Sequence, residues 1–387
     1  MTAKPAPLTE LFARLREQAA GAAPETPVPP APIPVSVYTD PGRFEREKAS
    51  VFGRLPLMLA HASELHAPGS VLRVDVAGKP IVLSRAADGQ VHAHLNVCRH
   101  RGMRLLDQTG PCQRKTLVCP YHGWTYELDG RLRHTPHPEF FPQVGNGSHD
   151  LTRLACAEAH GLIWVVPTPG IDLDIAAWLG PLGAELEYFG SADFTLYRRS
   201  ESIRAANWKL IIDAFQEAYH IRVLHRDTVY RFFQDSSAVG DCVGPHTRSC
   251  IARRKIEEAP DDPGQADLRE HCSITHFIFP NLITVNHPDY SSLLTFYPEA
   301  PDRLRCVHHM LVPPDRIYEA EHWEKTYELI DGGVFQSEDL YAAESIQAGL
   351  ASGANTEITL GTLEETVGRF HEMVTRMVAG EDLPPAG

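Results

Sequence analysis

Cys98-Arg-His-Arg-Gly102 and Cys119-Pro-Tyr-His-Gly-Trp-Thr-Tyr126 decide the reading of this chain. Each stretch sets one thiol and one imidazole a residue or two apart, so together they offer two soft sulfur donors and two neutral nitrogen donors. That mixture suits an asymmetric two-iron cluster, with cysteines on one iron and histidines on the other, and replacing thiolate by imidazole raises the reduction potential. A structural Cys2His2 zinc site has the same ligand count, but Cys-x-His and Cys-x2-His are unusual halves for one. Gly102 and Gly123 stand just after the histidines, where the backbone must turn tightly, and Pro120 stiffens the second loop. Trp124 and Tyr126 also read as residues of a sandwich core, Trp124 the more so.

The chain around these loops is long enough for two or three domains, at 387 residues. With 36 basic and 50 acidic side chains its net charge is −14, which disfavours nucleic acid or an anionic membrane surface as a partner and favours a basic redox partner. No run approaches the eighteen apolar residues a membrane span needs. The opening MTAKPAPLTELFARLREQ has no apolar signal core, so a cytoplasmic location is expected. Of eight cysteines, the six outside the two loops show no paired spacing and read as free thiols.

Punctuation divides the chain into three parts. Leu8, Leu11, Phe12 and Leu15 recur at helical spacing, and a Pro/Ala-rich run from Ala22 to Pro34 follows as a semi-extended connector, so residues 1–36 form an arm. From 37 to 169 short alternating runs such as VLRVDVAG, PIVLSRAADG, HAHLNVC and GLIWVVP are bounded by turn signals, which predicts an antiparallel β-sandwich. From 170 to 387 longer strand-like runs mix with helical ones, an α+β domain. Its clearest helix is the last, with Thr362 and Glu365 as a capping box and Leu363, Val367, Phe370, Val374 and Met377 on one face.

A second constellation lies in Asn207-Trp-Lys-Leu-Ile-Ile-Asp-Ala-Phe-Gln-Glu-Ala-Tyr-His-Ile-Arg-Val-Leu-His225. On one continuous helix Asp213, Glu217 and His220 would share a face, so that an acid orients the imidazole. His225 would then lie well round the helix from His220, which requires the helix to end or unwind before it. Two histidines and one carboxylate make the facial triad of non-haem Fe(II), which leaves coordination positions open. Asp339, in FQSEDLYAAESIQ, is the candidate third ligand. Taken alone, Glu338 and Asp339 also fit first-turn acids after a Ser337 cap, and His220 also fits a structural histidine.

The two cysteine-histidine strings, followed in order by NWK, the acid-x2-His-x4-His run and a late Glu-Asp pair, resemble the Rieske non-haem iron oxygenases over about residues 37 to 380. The resemblance implies a Rieske-type antiparallel sandwich followed by a helix-grip α+β catalytic domain. It assigns Cys98, His100, Cys119 and His122 to a [2Fe-2S] cluster, and His220, His225 and Asp339 to a mononuclear Fe(II) that uses O2. Glu217 would be the bridge by which electrons cross from a neighbouring subunit's cluster, so a homotrimer is implied. Many relatives carry Asp there, and Glu is common in those acting on quaternary ammonium compounds.

The chain has no plant-type ferredoxin cysteine run and no G-x-G-x-x-G, so a separate flavin/iron-sulfur reductase, with or without a ferredoxin, is implied. Phe215, Phe277, Phe279, Asn286, Tyr290, Leu294, Phe296 and Phe335 are candidates for the pocket lining. Such a lining suits an aromatic ring, hence aromatic hydrocarbon catabolism, or a methylated ammonium. The expected activity is hydroxylation or oxidative demethylation of a small organic substrate. Two other classes fit parts of the chain, a pure electron carrier and a zinc-stabilised binding protein. Metal content and visible absorption separate them.

Overall fold

Side-chain alternation in the chain's middle third builds short antiparallel ladders, and the computed structural model, which describes residues 4–21, 29–145 and 147–386, shows how they pair. The chain divides into two compact units, Phe52–Ile175 and Met1–Val51 with Ala176–Gly387. These divisions differ from the punctuation at 36 and 169. The reason is that residues 38–47 pack into the second unit, with Tyr38 and Phe44 buried and Glu47 bonded to Trp208 and Lys209. Of the Pro/Ala-rich run, residues 22–28 lie outside the described residues.

In the unit Phe52–Ile175, strands Ser70–Val76, Lys79–Arg85 and Val91–Leu95 form the centre of a five-stranded antiparallel sheet. Ala77 and Gly78 join the first two with φ of 52° and 76°, both left-handed, which is the turn that matches strand twist. A second sheet pairs Cys156–Ala159, Leu162–Val165 and Leu57–His61, and a third small one pairs Leu117–Val118, Thr125–Tyr126 and Leu132–His134. The two cysteine-histidine loops close on a core that includes Val71, Val82, Leu106, Trp124 and Tyr126.

The other unit is built on a seven-stranded antiparallel sheet: β1 (Thr195–Arg204), β2 (Phe233–Val243), β3 (His246–Arg253), β4 (Cys272–Ile278), β5 (Leu282–Asn286), β6 (Ser291–Ala300) and β7 (Arg303–Val312). Their order in space is β1-β7-β6-β5-β4-β3-β2. The expected amphipathic N-terminal helix is α1 (Ala6–Ala19), but it is not a detached arm. It lays Leu8, Leu11, Phe12 and Leu15, all fully buried, against Val239, Cys250 and Ile274 of the sheet.

The NWK sequence opens α2 (Trp208–Phe215), and each of its residues has a structural task. Asn207 caps the helix by accepting from the Lys209 amide at 3.1 Å. Lys209, 0% exposed, donates to Glu47 Oε2 at 2.6 Å, and Trp208 Nε1 donates to the same oxygen at 3.0 Å. Next come α3 (Ile221–Leu224), α4 (Leu340–Ala351) and α5 (Glu365–Ala379). Val367, Phe370 and Val374 of α5 are buried, with Phe370 edge-on to Phe277, Phe279 and Trp208.

The expected capping box is absent. Helix α5 begins at Glu365 with no side-chain cap, Glu364 instead accepts from the Gly361 amide at 2.6 Å, and Leu363 lies outside the helix, 37% exposed. Thr366 Oγ1 is used elsewhere, donating to the Gln216 carbonyl at 2.6 Å.

A buried ion pair stripped of one partner leaves an uncompensated charge, which costs about 3–5 kcal/mol, whereas removing both charges is close to neutral. Glu47 also pairs with Arg43 Nε at 2.9 Å, so Lys209→Met should lower the unfolding free energy by less than that amount, and adding Glu47→Gln, which strips Arg43 of its partner, should recover only part of it. Urea titration of the two variants measures both steps.

Candidate active site

Two clusters of donor side chains stand out, one in each unit. In the first, the cysteine-histidine loops fold alike: Gly102 N donates to Cys98 O and Gly123 N to Cys119 O, both at 3.0 Å, while Cys98 N reaches Met103 O and Cys119 N reaches Trp124 O, both at 2.8 Å. Glycine is required at each turn, where φ is +80° and +71°. The rings of His100 and His122 lie 4.7 Å apart, edge to face. Trp124 stacks on His100 at 4.9 Å and 7°, so it is a core residue that also fixes the His100 ring. Tyr126 accepts from the Arg99 amide at 3.0 Å and donates its hydroxyl to Cys98 Sγ at 3.3 Å. Burial raises the Cys98 thiol above its ordinary range and the tyrosine hydroxyl opposes it. His100 Nδ1 is buried with no hydrogen-bond partner. Two thiols and two imidazoles brought together, one with an orphaned ring nitrogen, fit a metal cluster of the Cys2His2 kind.

The second cluster depends on a break in the helix. α2 stops at Phe215, and Gln216 is held by Thr247 Oγ1 at its side chain and Thr366 Oγ1 at its carbonyl, both at 2.6 Å. The expected single helix through Asp213, Glu217 and His220 therefore does not exist. Asp213 points away from the histidines, accepting from Tyr38 Oη at 2.7 Å and bonding His371 Nε2 at 2.9 Å, so its expected catalytic role is not supported. His220 precedes α3 and His225 follows it, and this short helix brings the two rings to 5.0 Å.

The third member arrives on a widened helix. Glu328–Asp339 is a π-helix running straight into α4, in which Ser337 Oγ bonds the Gly332 carbonyl five residues back, so Ser337 is not a helix cap. Asp339 Oδ1 lies 3.1 Å from His225 Nε2 and 3.8 Å from His220 Nε2. All three donor atoms fall within 4.8 Å of one another.

Each imidazole is held from behind. Glu338 accepts from His225 Nδ1 at 2.7 Å and from Thr228 Oγ1 at 2.8 Å, and Glu217 accepts from His220 Nδ1 and the His220 amide. A carboxylate at Nδ1 puts the proton there and leaves the Nε2 lone pair facing Asp339, the carboxylate-histidine arrangement of metal sites. Asp339 Oδ1 is itself buried without a hydrogen-bond partner among the described residues. Although burial disfavours charge on His225, Asp339 and Glu338 outweigh it and raise the pKa. Three donor atoms that converge this closely can hold a cation, and the donor set fits Fe(II) with open positions. Glu338 was missed as a support because the sequence shows it only as one of two adjacent acids.

A cavity of about 510 Å³ opens beside the triad, lined by Phe215, Phe232, Phe233, Tyr290 and Phe335 among others. Of the expected lining residues, Phe215, Tyr290 and Phe335 do line it. Phe296 and Leu294 instead border a void of about 10 Å³ next to Asp339. Phe277 and Phe279 pack under α5, and Asn286 is buried, bonding the Ile274 carbonyl and Ser291 Oγ, so these three are core residues.

Two family descriptions match the chain: the Rieske [2Fe-2S] domain over residues 56–145 and the ring hydroxylating alpha subunit (catalytic domain) over residues 191–380. The carnitine monooxygenase oxygenase subunit of Acinetobacter baumannii is 30% identical over 338 residues, 83% of this chain and 85% of that one. The glycine betaine monooxygenase oxygenase subunit of Chromohalobacter salexigens is 32% identical over 226 residues, 58% of this chain, and the match spans about half of that relative's length, 49%. Among solved structures, a quaternary ammonium Rieske monooxygenase superposes with a TM-score of 0.79 at 22% identity, covering 94% and 98% of the two chains. Naphthalene 1,2-dioxygenase from Rhodococcus sp. superposes with a TM-score of 0.77 at 21% identity, covering 98% and 99%. Both likenesses are of fold.

Asp339→Ala should remove the iron held by the triad and spare the cluster. Iron per chain should fall from about three to about two with acid-labile sulfide unchanged at about two, measured on anaerobically prepared protein together with its visible spectrum.

Proposed function

The chain belongs to the Rieske oxygenases, and on that premise we propose that it is a terminal oxygenase component that hydroxylates or oxidatively demethylates a small methylated amine. The observation that carries the reading is the triad His220, His225 and Asp339 standing on the wall of a cavity in a chain that also has a cluster domain. An electron carrier has no use for that second site.

Cys98, His100, Cys119 and His122 would hold the [2Fe-2S] cluster, and the triad would hold Fe(II). When bound, these groups supply single electrons and an open coordination position for O2. The rest of the work falls to the chain's own side chains. Glu338 and Glu217 keep the Nδ1 protons of the two histidines in place, so that both Nε2 atoms stay aimed at one point. Aromatic walls exclude water and hold the substrate beside that point. The sequence carries no G-x-G-x-x-G fingerprint and the relatives are named as oxygenase subunits, which supports electrons coming from a separate reductase.

The cavity supports an amine over an unfunctionalised ring. The wall is mainly apolar, but it sets the acids Glu217, Asp289 and Asp339 among five aromatic rings, which an unfunctionalised ring would not use. Aromatic faces attract a methylated ammonium. The relatives named for carnitine and glycine betaine point the same way.

Glu217 is placed to do more than orient His220. Beside it Tyr219 is 71% exposed and Val223 79% exposed, an apolar fringe that a second copy of the chain would cover. In the cluster unit His122 is exposed. A homotrimer in which Glu217 joins His220 to the cluster histidine of the next subunit accounts for both.

With a surrogate reductase, the holoenzyme should consume O2 and reductant in proportion to a methylated amine oxidised, and oxidation of naphthalene with no amine oxidised would overturn the amine reading. Glu217→Gln should keep both metal sites filled while product per cluster oxidised falls about 10–100-fold. Stopped-flow bleaching of the cluster against product yield measures this, and normal coupling would remove the bridge.

A further inference from the structure

Arg253 ends β3, and its guanidinium lines the same cavity as the triad. A guanidinium presents five N–H donors in a planar fork and keeps its charge. Here the fork meets Ser273 Oγ at a long 3.4 Å, and among the described residues no carboxylate stands within ion-pairing distance of it. The rings of Phe232 and Phe233 each lie 5.7 Å from its central carbon. They steady the group without neutralising it.

The other charged groups of this wall are occupied. Asp289 lies 2.9 Å from His322 Nε2 and 3.7 Å from Arg316, and Lys325 lies 2.7 Å from Glu321. His287, stacked on Tyr290 at 4.2 Å, is kept neutral because burial pulls its pKa down to about 3. Burial also draws the Arg253 pKa below its ordinary value. Most of its donors are left to solvent in the cavity, and a ligand anion that takes the fork replaces that water with a charge-assisted, bidentate contact.

We infer that Arg253 anchors a carboxylate on the substrate, so that the substrate is a short ammonium carboxylate. The inference rests on the oxygenase reading and narrows it. A cationic amine alone would be repelled by Arg253, and a hydrocarbon would leave it unpaired. A molecule with a carboxylate at one end and a methylated ammonium at the other satisfies both ends of the site. Its anion would take the guanidinium fork, and its cation would lie toward Phe215, Phe335 and the acids around the triad. Arg253 is thereby a specificity-determining residue, setting which end of the molecule reaches the oxidising site.

Calorimetric titration of the anaerobic holoenzyme tests this with three acid and amide pairs: γ-butyrobetaine and its carboxamide, butyrate and butyramide, and benzoate and benzamide. Each acid should bind at least about tenfold tighter than its amide. Arg253→Gln should weaken the acids about a hundredfold and leave the amides nearly unchanged, with Arg253→Lys in between. Unaltered visible spectra and iron content show that the variants are folded, and the wild-type comparison decides even without them. Equal binding of acid and amide by the wild type, failure of every acid to bind, or an acid preference that survives Arg253→Gln would each overturn the inference. Butyrate and benzoate carry no amine, so an acid preference in an enzyme that oxidises no methylated amine would sink the amine reading and keep Arg253. Amine oxidation without acid preference would do the reverse.

Discussion

Two hydrogen bonds from imidazole Nδ1 to glutamate, His220 to Glu217 and His225 to Glu338, set the rest of the catalytic unit in order. A neutral imidazole has one proton and one lone pair, and fixing the proton at Nδ1 fixes the lone pair at Nε2. Both Nε2 atoms then converge on Asp339, whose inner oxygen has no partner of its own. The histidines come from the break after α2 and the acids from two different segments. The fold has to bring two distant chain segments together to satisfy two rings, the stretch 217–225 and the end of Glu328–Asp339, and the contacts of Thr247, Thr366 and Thr228 help to hold them.

The same economy appears in the cluster unit. Two loops of different sequence adopt one hydrogen-bond pattern, with a left-handed glycine at the equivalent place, so that four donors come together from two short hairpins. Trp124 and Tyr126 belong both to the core and to the candidate site: one supports the His100 ring, and the other bonds the Cys98 sulfur. Burial and ligand positioning are met by the same atoms, which ties cluster geometry to the stability of the sandwich.

What was legible in the sequence was local. The Cys-x-His and Cys-x2-His loops, the short strands around them, the four apolar residues of α1 and the His-x4-His pair follow from spacing, and the structure places them as spacing suggests. What failed depended on partners distant in sequence. Asp213 shares a helical face with Glu217 only if the helix continues, and Thr366 and Thr247 pull the chain out of helix at Gln216. The Thr362 capping box failed for a related reason, because α5 starts three residues later with Thr366 turned to Gln216. Phe279 and Asn286 looked like pocket residues because strand alternation reveals two faces without saying which one meets a helix. Glu338 could not be told from a solvated acid without seeing His225 across from it.

The π-helical stretch Glu328–Asp339 holds the Asp339 carboxylate in place by chain length as well as by residue identity. A π turn accommodates more residues than an α turn, and each residue of an ordinary helix advances the next by about 100°. Loss of one residue anywhere in the stretch would let it relax to α and swing Asp339 away from both histidines, however conservative the remaining residues. Substitutions at exposed positions such as Gly332 and Ser337 are tolerable on this account, buried Ile330, Asp331, Val334 and Phe335 are held by packing as well, and single-residue deletions are tolerable nowhere in the stretch. Variation among relatives should therefore appear here as change of side chain at constant length.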